Sequence, residues 1–106
     1  MIELTVLENK SNVSGEVVYT GEAPFVDGCS LYYQLYRRKN TDTDIEAVWL
    51  YDLSVTKRKG SEILDHAQLR AVSSVYLDAG RLCETAIGWG ISPISVYDFY
   101  EEYVTR

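Results

Sequence analysis

The chain has 106 residues, 46% hydrophobic and 25% charged, with seven Gly and only two Pro; this is the make-up of one folded domain, able to bury somewhat over ~60% of its extended surface, and it excludes a disordered tail. Sixteen acidic residues against ten basic ones give a formal charge of -6, which opposes an electrostatic grip on phosphate backbones and suits a basic partner. No run approaches the ~20 apolar residues that span a bilayer.

Taken in order, Ile2, Leu4 and Val6 alternate with their neighbours and predict a first strand. The segment lacks a lysine-led apolar stretch, so a signal peptide is not expected. The turn-forming NKSNVSG at Asn9 to Gly15 returns the chain into a hairpin partner, Glu16 to Thr20. GEAPFVDG, Gly21 to Gly28, reads as a loop because Pro24 and the glycines disfavour a regular ladder.

The strongest signal of the first half is a pair of arms, Ser30 to Arg38 and Ile45 to Leu53, joined by the polar KNTDTD. Both are rich in aromatic and branched residues and predict an antiparallel hairpin. One face of the first arm carries Leu31, Tyr33 and Leu35, the other Tyr32, Gln34 and Tyr36. Apolar groups on both sides ask for a covering layer on each, or for a partner chain on one.

After Gly60 the spacing changes. Leu64, Ala67, Ala71, Val75 and Ala79 recur at three or four residues, predicting a helix from about Glu62 to Ala79, with Ser61 as its cap and Gly80 at its stop. A short strand at Val72 to Leu77 competes with it. Cys83 to Trp89 fits helix or strand. Ser95 followed by Asp98 resembles a cap, and Val96, Phe99, Tyr100 and Tyr103 then line one side of a terminal helix, with an extended segment as the alternative. The expected architecture is α+β, one small domain over 1–106: a mainly antiparallel N-terminal sheet packed on one long helix and a shorter C-terminal helix or strand.

No segment matches a diagnostic catalytic or ligand motif. YYQLYRRK, Tyr32 to Lys39, sets three rings beside three cations, and Lys57, Arg58 and Lys59 form a second basic triplet. A strand's length keeps the two about 25 to 30 Å apart, which favours solvated or self-neutralised charges over a nucleic-acid groove. His66 is the lone histidine; Asp65 beside it points elsewhere on a helix, and no nucleophile is placed by sequence. Cys29 and Cys83 form neither a paired motif nor a zinc set. Asp42 and Asp44 lack the glycine turn and distal Glu of a calcium loop. No cofactor or metal is expected, and free thiols suit a reducing cytoplasm.

What remains is an aromatic and acidic C-terminus. Tyr97, Tyr100, Glu101, Glu102 and Tyr103, with Asp42 and Asp44, are the expected partner-binding residues, because more rings crowd this segment than one face can bury. The expectation is a non-enzymatic interaction module, an acidic binder or inhibitor of a protein or a self-assembling subunit, without nucleic acid or membrane. The alternative is a small enzyme or ligand-binding domain converging on His66 and carboxylates.

Overall fold

The computed structural model describes residues 15–41 and 43–105. The strand expected from Ile2 and all but Gly15 of the turn expected at Asn9 to Gly15 lie outside the described residues, as does Asp42. The described chain is an antiparallel four-stranded meander followed by two helices: β1 (Glu16–Pro24), β2 (Ser30–Lys39), β3 (Trp49–Lys59), β4 (Glu62–Ser73), α1 (Tyr76–Trp89) and α2 (Val96–Val104), with strand order β1-β2-β3-β4. The α+β architecture read from the sequence is the one observed.

Alternation in β2 and β3 builds the core. Leu35 pairs with Leu53 and Tyr33 with Val55, while Leu53 and Val55 pair onward with Leu69 and Ala67 of β4. Both helices close over this face: Ala79, Leu82, Cys83 and Ala86 of α1, with Val96 and Phe99 of α2, complete one buried cluster with those strands. Their spacing of three, four and seven residues is that of one helix face. Gly21 of β1 sits under α1, where a Cβ would run into Ile87 Cδ1; the missing side chain admits the helix to the sheet.

The helix expected over Glu62 to Ala79 is corrected. Residues 62–73 form β4, which leaves β3 through Gly60 (φ 62°) and Ser61, with Lys59 paired to Glu62, so Ser61 belongs to a two-residue hairpin turn instead of a cap. Register shifts occur between Lys57 and Arg58 and between Tyr51 and Leu53. These bulges fall at Leu64 and around Ala71, and an inserted residue breaks the period of two. Core-directed side chains therefore come at Ala67, Leu69 and Val72, so a strict alternation is not visible in the sequence. The competing strand over Val72 to Leu77 is corrected too, since α1 begins at Tyr76 and Gly80 lies within it.

Two further expectations shift. Gly21 to Pro24 are paired in β1, not looped; β1 is an edge of the described sheet and Pro24 is its last residue, where a missing N–H is tolerated. The second arm of the hairpin begins at Trp49, not Ile45. Asn40 organises the intervening loop, its N–H donating to Val48 O (2.9 Å) and its Nδ2 to Ile45 O (2.9 Å) and Ala47 O (2.8 Å).

The link between the helices is firmly fixed. Gly90 takes a left-handed φ of 64°, Gly90 N–H donates to Ile87 O (3.1 Å) and Ile91 N–H to Ala86 O (3.0 Å), the paired bonds of a Schellman ending. Tyr33, fully buried in β2, donates its hydroxyl to Ile91 O at 2.8 Å. Burial pushes this phenol's pKa up to about 12, with the Cys83 thiol as a lesser cause. One core tyrosine thus ties the helix junction to the centre of the sheet.

Candidate functional site: the outer face of α2

Pro93 to Ser95 form a 3-10 turn that leads into α2, with Ser95 at the N-cap position but without a side-chain cap bond. Val96 and Phe99 point inward. Tyr103 packs on Phe99 with ring centroids 5.8 Å apart, and Trp89 meets Phe99 edge-on at 5.8 Å. The side expected to be apolar is therefore the side that is buried.

The other two tyrosines have a task that sequence reasoning missed. Tyr97 donates its hydroxyl to Gln68 O at 3.0 Å and Tyr100 donates to Val72 O at 3.3 Å. Both carbonyls belong to β4, an edge strand of the described sheet. Two phenols thus hold α2 alongside this strand. Only a tertiary arrangement reveals this, because the hydroxyl partners lie 29 and 28 residues away in sequence.

Of the expected residues, Tyr97, Glu101 and Glu102 lie on the outward face of α2. Tyr97 remains 58% exposed despite its hydrogen bond, and Ile94, one turn before it, is 84% exposed. Asp98, Glu101 and Glu102 are exposed on the same helix. The last turn of α2 holds no basic residue, so Glu101 and Glu102 face the negative end of the helix dipole, an unfavourable placement that a cationic neighbour would relieve. Tyr100 and Tyr103 are half-buried and reach the surface at the flank. Asp44 is exposed in the β2–β3 loop. It belongs to the end of the sheet where Tyr51 pairs with Ser73, the end toward which α2 runs from Gln68 to Val72. Ile94 was missed: a single apolar residue in SPIS has no periodicity to announce it.

The basic triplets sit at opposite ends of the β2–β3 ladder, with Lys39 paired to Trp49 and Arg58 to Ser30, about 25 to 30 Å apart. Most of their charges are engaged locally. Arg37 donates to Glu16 at 2.7 Å and lies 4.1 Å from the Trp49 ring centroid; Arg38 donates to Asp52 at 2.8 Å; Arg58 covers Tyr32 at 4.6 Å and Lys57 Nζ lies 5.7 Å from Phe25. The rings of YYQLYRRK thus serve the sheet: Tyr33 enters the core, Tyr32 receives Arg58, and Tyr36 donates to Gln34 Oε1 at 2.8 Å.

His66 meets neither cysteine. Its Nδ1 is hydrogen-bonded to the hydroxyl Oγ1 of Thr56 at 3.0 Å on the face of the sheet away from the helices; Asp65 Oδ1 is taken up by the backbone N–H of His66 at 2.9 Å and does not orient the ring. The ring rests against the sheet although the residue as a whole is exposed; that burial lowers its pKa and Asp65 opposes the shift. Cys83 lies across the sheet, in the core, its thiol pushed up to about 12 by burial and secondarily by Glu84. Cys29 is also free and half-buried near Asp27. Among the described residues no three His, Cys, Asp or Glu side chains are grouped to hold a metal ion, and no helix is long and apolar enough to cross a membrane. No protein-family model matches the chain, and no curated protein or solved structure matches it either.

Proposed function

We propose that the protein is a non-enzymatic docking module that binds a basic protein partner through the outer face of α2. One observation carries the reading: Ile94 at 84% and Tyr97 at 58% exposure sit beside Asp98, Glu101 and Glu102, on a helix whose inner face and tyrosine hydroxyls are already fixed to the sheet. Apolar area is thus presented with little ordering left to do on binding, and the acids supply attraction and register. A two-fold contact of this face with itself would bring acid against acid, so the reading favours a different chain over a second copy. Binding alone can mask a basic surface of the partner, which is how such a module inhibits or neutralises. The two free cysteines support a reducing, cytoplasmic setting.

Site-specific photo-cross-linking in native lysate tests this. Benzoylphenylalanine placed at position 94 or 97 is expected to give a discrete adduct with a basic protein, and the same probe at position 63, on the distant hairpin tip, is not. Adducts formed only from position 63, or equally from all three, would remove α2 as the docking face.

A further inference from the structure

A groove opens beside the proposed docking face, where the end of β4 meets α1 and the second half of α2. Among the described residues its apolar walls are Val72, Leu82, Tyr100, Tyr103 and Val104, with Asp78 at the side, and its volume is about 320 Å³. That is at the small end of the range for ligand pockets, suited to one apolar side chain more than to a cofactor. The Tyr100 wall is set in advance, because its hydroxyl is held by Val72 O at 3.3 Å. Val104 is shared with a second, shallow depression lined by Asp98, Glu101, Glu102 and Thr105. An apolar pocket therefore adjoins an acidic tray across one valine.

We infer that the groove receives an apolar anchor side chain of a basic peptide segment, with Lys or Arg next to the anchor resting on the α2 acids. This rests on the docking reading above and specifies the partner: an apolar residue flanked by cations. On the α1 side of the groove Asp78 and Arg81 offset one another, so the excess negative charge lies on the α2 side. The basic flank therefore goes to Asp98, Glu101 and Glu102 and the anchor into the pocket. Charge complementarity selects this occupant over an acidic peptide, which would face three carboxylates at Asp98, Glu101 and Glu102.

The test uses a short fluorescein-labelled peptide with one central Phe between lysines, read by anisotropy at low salt. The first variant is Val104→Lys, at a position 55% exposed, where a cation in the last turn agrees with the helix dipole and leaves the fold intact. The second is the pair Glu101→Lys and Glu102→Lys. The parent protein is expected to bind the probe; exchanging its Phe for Ala is expected to weaken binding at least ~10-fold, as for an anchor, and Val104→Lys is expected to weaken the Phe peptide more than the Ala peptide, which separates a blocked groove from added repulsion. If the Phe and Ala peptides bind alike to the parent and are weakened alike by Val104→Lys, while the charge reversals abolish binding, the groove is overturned and the α2 face survives. If no lysine-rich peptide binds even at millimolar concentration, both are overturned.

Discussion

Replacing Asp52 by alanine probes the joint that aims the end of β4 at the helices. Asp52 is only 4% exposed, and its two carboxylate oxygens have different tasks: Oδ2 accepts from Arg38 Nε at 2.8 Å, and Oδ1 accepts from the backbone N–H of Ala71 at 2.7 Å. Ala71 stands in the bulge of β4 with φ 54°, a left-handed conformation that costs an L-residue about 1–2 kcal/mol. The bulge thus persists because a buried carboxylate holds it. Breaking a buried pair by removing one partner costs about 3–5 kcal/mol. The Arg38 side chain retains 16% exposure, so the low end applies, about 3 kcal/mol or a fall in Tm of roughly 12–24 °C for a domain of this size. Ala71→Gly should act oppositely: relief of the left-handed strain, less the entropy that Gly adds to the unfolded chain, leaves a gain of about 0.5–1 kcal/mol. Urea unfolding followed by fluorescence of Trp49 and Trp89, with thermal melts, reads both. An Asp52→Ala variant within 0.5 kcal/mol of the parent, or an Ala71→Gly variant that is less stable, would refute this reasoning.

Other outcomes follow from the same contacts. Tyr97→Phe and Tyr100→Phe each remove a hydroxyl from a β4 carbonyl and should lower stability by about 0.5–1.5 kcal/mol, Tyr97 at the lower end because it is more exposed; coincident denaturation curves for the double variant would show that the phenols do not hold the edge. With its thiol pushed up to about 12, Cys83 should resist alkylation at neutral pH until the protein unfolds, leaving Cys29 as the one site modified in the fold, as peptide mass mapping would show. For His66 the folded pKa lies below the ordinary 6.5. The unfolded chain therefore binds its proton first as pH falls, so this residue's contribution to stability is complete above about 6.5 and declines below it. An NMR titration of the imidazole with a midpoint at or above 6.5 would contradict that sign.

The architecture was legible where side-chain periodicity and burial coincide. Leu31, Tyr33 and Leu35 alternate in sequence and all three are fully buried, and Val96, Phe99, Tyr100 and Tyr103 mark the inner side of α2 as their spacing implied. The failure at residues 62–73 has a cause: two bulges interrupt the alternation of β4, and the spacing of Leu64, Ala67, Ala71 and Val75 that reads as helical joins residues of which Leu64, Ala71 and Val75 are exposed. The real helix was concealed by Gly80 and Gly88, which a packed α1 tolerates at about 1 kcal/mol each because tertiary burial of Ala79, Leu82, Cys83 and Ala86 outweighs propensity. At the candidate site, the rings and acids of α2 stood out by composition. The clamp from Tyr97 and Tyr100 to β4, and the groove that brings Val72, Leu82 and Val104 together, depend on contacts between distant segments and have no local signature.

Association kinetics with the basic protein cross-linked through position 97 test the docking claim most directly. The parent and the double reversal Glu101→Lys with Glu102→Lys are compared across a range of NaCl, after melts establish that both are folded. The parent's association rate should exceed the variant's at low salt, and the difference should shrink as salt rises, because exposed charges are screened over about 8 Å at physiological ionic strength. Equal association rates at every salt concentration would contradict an acidic docking face on α2.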